Sequence, residues 1–244
     1  MSKPNYFDEP VAARYDETSA EMFAPETLDP AVDFLADLAG DGAVLELGIG
    51  TGRVALPLSR RGIRMHGIDL SPAMLERLRA KPGAEDIDVT AGDVATTRVD
   101  GTFRLVYLVW NTIMNLTTQE EQVACFRNAA AHLESGGHFV VEVMVPQLQR
   151  LPPGETVHPF LVTPTRLGFD EYDTVSQSLV SHHFWVEGER GSAVAMPFRY
   201  VWPAELDLMA QLAGMTLTER WGSWSREPFT SDSTSHVSVW EKVP

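Results

Sequence analysis

VLELGIGTGR, residues 44–53, is an apolar run that breaks into glycines at alternate positions, Gly48, Gly50 and Gly52. A strand that runs into a glycine turn brings backbone close to a nucleotide-like ligand, because glycine carries no Cβ and accepts backbone angles closed to other residues. The run also carries one acid, Glu46, and a carboxylate inside an apolar strand needs partners. Spacing narrows the ligand. A triphosphate loop requires Gly, four residues, then Gly-Lys and Ser or Thr, and no lysine stands there. A dinucleotide turn requires glycine at the first, third and sixth places; counted from Gly48 the sixth is Arg53, a bulky cation where helix and strand must pack closely. The stretch instead offers an acid followed by three alternating glycines.

Outward from the turn, strands and helices alternate. GRVALPLSRRG (52–62) reads as a helix limited by Pro57, RMHGID (64–69) as a strand, and SPAMLERLRA (71–80) as a helix capped by Ser71 with Pro72 next. DIDVTAGD (86–93) and FRLVYLVW (103–110) are strands. TTQEEQVACFRNAAAHL (117–133) is a helix with Thr118 and Glu121 at capping-box spacing, and SGG turns into HFVVEVMV (138–145). Upstream, DPAVDFLADLAG (29–40) predicts a helix capped by Asp29, with Pro30 in its first turn and Gly40 past its end. Such alternation implies a parallel sheet covered on both faces. From Pro146 a proline-rich connector leads into four strand-like runs, HPFLVT, GFDEYDTV, SLVSHHFWVEG and AVAMPFRYVW, which read as antiparallel. A helix, PAELDLMAQLAG (203–214), and two strands close the chain.

Thirty-four acids against 19 Lys and Arg give a net charge of −15 over 244 residues. That surface repels phosphate backbones, so nucleic acid is not the expected partner, and a neutral or cationic small molecule is. No apolar run approaches the ~20 residues that span a bilayer. The polar N-terminus and a single cysteine, Cys125 within a helix where packing is its ordinary role, fit a cytoplasmic protein; no metal site is expected, and a homodimer stays open.

Three further features agree with the turn. GIDLS puts Asp69 at the end of the second strand, AGDV puts Asp93 after the third, and FRLVYLVWN stands where the fourth belongs. In these features residues 44–145 resemble the class I S-adenosylmethionine-dependent methyltransferases, with Arg104 where that family commonly has aspartate. The resemblance implies an α/β, Rossmann-like sandwich on a mostly parallel seven-stranded sheet, here with an antiparallel β insertion. It divides the chain into an N-terminal arm or lid (1–40), a cofactor core (41–146), an acceptor-side insertion (147–202) and a C-terminal helix and strands that complete the sheet (203–244).

The cofactor it implies is S-adenosylmethionine. Gly48, Gly50 and Gly52 clear the path of its methionine portion, Glu46 orders the loop or the amino group through water, and Asp69 takes both ribose hydroxyls. Asp93 pairs with the adenine amine, with Val94 as a wall. Ile49, Arg53, Leu70, Met74, Gly92, Trp110 and Asn115 complete the set. In ARYDE, Tyr15 closes the site and Arg14 pairs with the cofactor carboxylate; a surface helix with an amphipathic tyrosine is the plainer reading. Asp69 as a helix cap and Asp93 as a turn residue are likewise plainer readings.

Methyl transfer from a sulfonium asks the protein to align groups and exclude water; an amine needs only to lose its proton, whereas a hydroxyl needs a base or metal. Acceptor contacts are expected from Trp110, Asn111, Met114 and Asn115, then from residues 142–144. Asn111, His182 and His183 are the candidate catalytic groups, the two histidines falling on opposite faces of one strand, with ordinary packing as the alternative for each. Tyr172, Trp185, Tyr200 and Trp202 are either an acceptor wall or core. The layout is similar to that of bacterial aminosugar N,N-dimethyltransferases, and small O-methyltransferases fit as well. A nicotinamide-dependent oxidoreductase and a protein that binds the cofactor without transferring methyl are the rival readings.

Overall fold

Apolar residues at successive positions of the early strands bury both of their faces, as a parallel sheet requires. The computed structural model describes residues 6–188 and 190–243; residues 1–5 at the start of the arm, with 189 and 244, lie outside the described residues. β1 (Val44–Leu47), β2 (Met65–Asp69), β3 (Ile87–Ala91), β4 (Phe103–Leu108) and β5 (Leu133–Met144) pair in parallel. Four more strands, β6 (Val157–Val162), β7 (Arg166–Asp173), β8 (Ser178–Glu187) and β9 (Arg190–Arg199), form a separate antiparallel sheet. β10 (Met215–Trp221) and β11 (Ser235–Lys242) return antiparallel to the edge of the first, whose order is β10-β11-β5-β4-β1-β2-β3.

Side-chain alternation splits the core into two layers. Leu105 and Tyr107 of β4 join one layer and Val106 and Leu108 the other. Below the sheet, α3 (Pro25–Ala39), α4 (Ala55–Arg60) and α5 (Pro72–Arg79) supply Phe34, Leu35, Leu58, Leu75 and Leu78. Above it, α6 (Gln119–His132) and α7 (Pro203–Leu212) pack around an aromatic trio, with Phe126 at 5.0 Å from Phe139 and 5.4 Å from Trp240. No helix among the described residues is long and apolar enough to cross a membrane.

The local signals explain most boundaries. Ser71 accepts from the Met74 N–H and starts α5, and Thr118 and Glu121 form a complete capping box at the start of α6. Pro57 occupies the third position of α4, where its missing N–H costs no intrahelical bond. Two expectations need correction. α3 begins at Pro25, not behind Asp29, because extended Ala24 and Pro25 already make a helix start and the buried stripe begins at Leu28; Pro30 then lies inside the helix, one turn beyond the exposed Glu26 on the same face. β5 begins at Leu133, directly behind α6, and bends through Gly136 at φ +74° instead of following a separate turn.

Candidate active site

The first parallel sheet changes direction of winding between β1 and β4, and ligands of such sheets sit beyond the carboxyl ends of the strands at that point. The glycine turn leaves β1 there. Gly48 and Gly52 have φ of +82° and +80°, and a Cβ would lie 2.7 Å from Thr112 Cγ2 at the first and 2.3 Å from Leu78 Cδ1 at the second. Asp69, at the end of β2, fastens the turn: its Oδ2 accepts from the Gly50 N–H and its Oδ1 from the Ser71 N–H, both at 2.8 Å. Burial raises its pKa and those two N–H groups lower it again. Asp69 thus does hold the start of α5 as well as facing the ligand side, while Ser71 supplies the cap itself.

Two clefts meet at Gly48 and Thr112. The wider, about 600 Å³ with its open mouth, is bordered by Asp69, Leu70, Asp93, Val94, Asn115 and Leu116, with Tyr6 and Phe7 of the arm. Asp93 accepts from the Ala95 N–H at 2.9 Å, the local turn bond expected of it. The narrower, about 340 Å³, is polar: Tyr15, Glu46, Thr51, Arg53 and Trp110 stand around Ile49 and Gly50. Met74 lies behind Gly50, its Cε 3.3 Å from where a Cβ would be, and Gly92 packs on Thr97.

Glu46 is 3 % exposed, and its Oε2 accepts from the Tyr107 hydroxyl at 2.7 Å. The two residues face each other in register across β1 and β4. Tyr107 is a functional neighbour that the sequence reading passed over, although a tyrosine inside FRLVYL, opposite an acid in the adjacent strand, is a legible signal. Arg53 lies against the Trp110 ring at 5.2 Å and donates to the Met22 carbonyl at 3.4 Å. Trp110 and Asn111 take left-handed φ of 57° and 56°, a strained corner at the end of β4. It is bolted to β5: Glu142 Oε2 accepts from the Trp110 N–H at 3.0 Å, and Asn111 Oδ1 accepts from the Met144 N–H at 2.7 Å. Asn111 therefore spends its carbonyl oxygen on the scaffold.

The arm is latched over the turn by α2 (Tyr15–Thr18), which follows α1 (Glu9–Ala12). Asp16 accepts from Thr51 Oγ1 at 2.6 Å and pairs with Lys81 Nζ at 2.5 Å. Ser71 donates to the Phe7 carbonyl, and Arg77 pairs with Glu9. Tyr15 reaches the narrow cleft, where burial raises its pKa. Arg14 is exposed and outside both linings; Arg53 is the cation at the site.

The insertion residues lie elsewhere. His183 is on the inner face of β8, 3.2 Å from Ser181 Oγ, with its pKa lowered by burial; His182 is on the outer face, stacked on Phe169 at 4.6 Å and 3.2 Å from Glu171. Neither borders the two clefts. A further cleft of about 830 Å³ separates the inner face from the end of β5, between Met144, Gln147, Arg150, His158, Phe160 and Asp170. Tyr172 and Tyr200 are buried core, 5.8 Å apart, Tyr172 also bordering that cleft; Met114 is buried too, whereas Trp202 is exposed.

The chemistry of the two clefts fits S-adenosylmethionine. The wider offers apolar walls and two carboxylate acceptors, suited to an adenosine; the narrower opposes Glu46 to Arg53, suited to a zwitterionic amino acid, with the Cβ-free Gly48 between them. Comparisons with known proteins agree. A family profile described as "Methyltransferase domain" matches residues 44–137. The Cypemycin N-terminal methyltransferase of Streptomyces sp. is 30% identical over 253 residues, covering 99% of this chain and 100% of its own. The structure of the CcbJ methyltransferase from Streptomyces caelestis is 35% identical, with TM-score 0.87 and 100% of both chains covered. SAM-bound CalS10, an amino pentose methyltransferase from Micromonospora echinaspora involved in calicheamicin biosynthesis, shares the fold at 22% identity, TM-score 0.71 and 100% coverage of both. This chain belongs to the class I S-adenosylmethionine-dependent methyltransferases.

Proposed function

We propose that the protein moves the methyl group of S-adenosylmethionine to an amine nitrogen of a small natural-product, sugar-like or peptide-like molecule. The observation that carries this reading is the make-up of the cleft walls: rings of Tyr6, Phe7, Tyr15 and Trp110, carboxylates of Glu46, Asp69 and Asp93, one guanidinium, and no histidine or lysine among the described lining residues. With the three carboxylates given to the cofactor, the aromatic faces are what is left for an acceptor, and they suit a cationic or neutral amine. An amine, once its proton is lost to solvent, needs no strong base, which a hydroxyl does. The Cypemycin relative, named for N-terminal methylation, supports the same choice. A net charge of −15 argues against a nucleic-acid acceptor.

The cofactor, when bound, supplies a methyl group on a sulfonium, already a good leaving group. This chain's residues then hold and orient. Asp69 takes the ribose hydroxyls, Asp93 the adenine amine, and Glu46 and Arg53 the two ends of the amino acid. Leu70, Val94 and Ile49 wall the site. The arm, latched by Asp16, serves as its lid and excludes water. The strained Trp110–Asn111 corner forms the acceptor side, and the antiparallel sheet encloses the rest of the acceptor. Two expectations change under this reading: Asn111 acts as scaffold, and the carboxylate partner is Arg53 in place of Arg14.

The test is transfer of labelled methyl to matched pairs: an aminosugar against its hydroxyl counterpart, and a short peptide with a free against an acetylated N-terminus. Label is expected only on the member with a free amine. Label on the hydroxyl or acetylated member would overturn the assignment.

A further inference from the structure

Glu46 is a carboxyl group without a counter-ion. It sits in β1 almost wholly out of water, and among the described residues no ion pair reaches it. The Tyr107 hydroxyl donates to it, as does the Ala55 N–H at the start of α4. The charged and titratable groups around it are few: Tyr107 from β4, Arg53 from the turn, Asp69 from the end of β2 and Tyr15 from α2. Arg53, the cation among them, is engaged with Trp110 and the Met22 carbonyl. Yet Glu46 opens onto the narrow cleft, so a ligand entering there meets it directly. Both donors favour the carboxylate, but burial without an ion pair outweighs them, and such an acid holds its proton until a cation arrives.

We infer that cofactor capture discharges a proton: Glu46 is a carboxylic acid in the free protein, loses its proton to solvent as the amino-acid end of S-adenosylmethionine enters, and stands as a carboxylate opposite the ammonium group. This rests on the reading that the narrow cleft takes the amino-acid end. The O–H bond of the carboxyl breaks, the proton leaves to buffer, and the cleft gains an ion pair in place of an unpaired positive charge. Burial supports the starting state, lifting the free carboxyl to about 8. Linkage then fixes the sign. Below that range each captured ligand must displace a proton, so affinity climbs about tenfold per pH unit, and it levels off once Glu46 is already ionised.

Calorimetry in two buffers of different ionisation enthalpy tests this without an acceptor, so a failure of the amine assignment leaves it untouched. With S-adenosylhomocysteine at pH 7, close to one proton should appear per ligand bound, and affinity should rise about tenfold from pH 6 to pH 7. The adenosine portion alone, tested as 5′-methylthioadenosine, should release none. Glu46→Gln should bind S-adenosylhomocysteine with no proton released and no slope with pH. Binding without release in the wild-type protein, equal release with both ligands, or release that persists in Glu46→Gln would each overturn the inference. Should the variant not fold, the two-ligand comparison and the wild-type pH series decide alone.

Discussion

The two sheets of this protein are built on opposite terms. All four residues of β1 are buried, and the turn behind it is tied by side-chain and backbone bonds on every side. The antiparallel sheet has no buried residue in β6, and the first six residues of β9 are exposed. It is fixed at its base alone, where Tyr172, Leu179 and Tyr200 join the main core and Arg199 donates to Gln122 at 2.5 Å and Glu205 at 2.7 Å. The contrast teaches where variation is tolerated. A cofactor used by a whole family needs an over-determined cradle, whereas a sheet anchored at its base can alter its rim without disturbing that cradle.

The largest effect should come from the anchor. Arg199 is 5 % exposed and its guanidinium donates to Gln122 and Glu205, so Arg199→Met strips the buried Gln122 Oε1 of its donor and the Glu205 carboxylate of its cation, leaving Glu205 only Gln119 and Gln177. We expect a loss of about 4 kcal/mol of stability in denaturant unfolding, with affinity for S-adenosylhomocysteine changed less than about twofold in the protein that remains folded. A comparable loss of cofactor affinity would mean that the two sheets are not independent. Next comes the cradle. Asp69→Ala removes the acceptor for two backbone N–H groups and, on the proposed binding mode, for the ribose, and should weaken S-adenosylhomocysteine binding by about a hundredfold, or ~3 kcal/mol, read by calorimetry. Unchanged affinity would show that Asp69 serves only the turn.

A smaller effect follows from Glu46 and runs in a fixed direction. Its carboxyl titrates near 8 when folded and 4.5 when not, so the folded protein binds the extra proton between those values. That contribution is complete below about 4.5 and is lost as pH rises toward 8. Without ligand, Glu46→Gln should therefore gain Tm relative to wild type as pH is raised from 6 to 8. A difference that is flat with pH would mean Glu46 is ionised throughout.

The legible and the hidden parts of the molecule divide along the same line. The glycine turn, the Ser71 and Thr118 helix starts and the place of Asp69 and Asp93 at the strand ends beside a cleft are legible because each follows a short-range rule: a turn needs its glycines and a helix its cap. The start of α3 at Pro25 is not legible from Asp29 and Pro30, because the buried stripe that begins at Leu28 is a tertiary fact. That Arg53 and not Arg14 lines the narrow cleft, and that Asp16 latches the arm, depend on how residues 6–24 fold back over the turn, which no local pattern encodes. The strain at Trp110 and Asn111 was invisible for the same reason. It exists only because Glu142 and Met144 of β5 hold it.

The histidine pair offers the smallest effect and the finest division. Alternation along β8 separates His182 from His183, and the structure gives each an ordinary occupation. His182 stacks on Phe169 with Glu171 beside it on the outer face; His183 stacks on Trp185 and shares a hydrogen bond with Ser181 on the inner. Partly exposed stacking and a partly exposed side-chain hydrogen bond are worth about 1 kcal/mol or less, so His182→Gln and His183→Gln should each cost no more than that in unfolding. An amine acceptor must lose its proton, so kcat should fall at acid pH; neither ring borders the clefts at the glycine turn, so that acid limb should keep its midpoint in both variants. His183 packs at 5.3 Å from Phe160, which borders the cleft beside Asp170, so its replacement should move acceptor KM, with kcat and cofactor affinity held. If instead the acid limb disappears in either variant, a base sits on the acceptor sheet, and the division of labour between the two sheets gives way to a site shared by both.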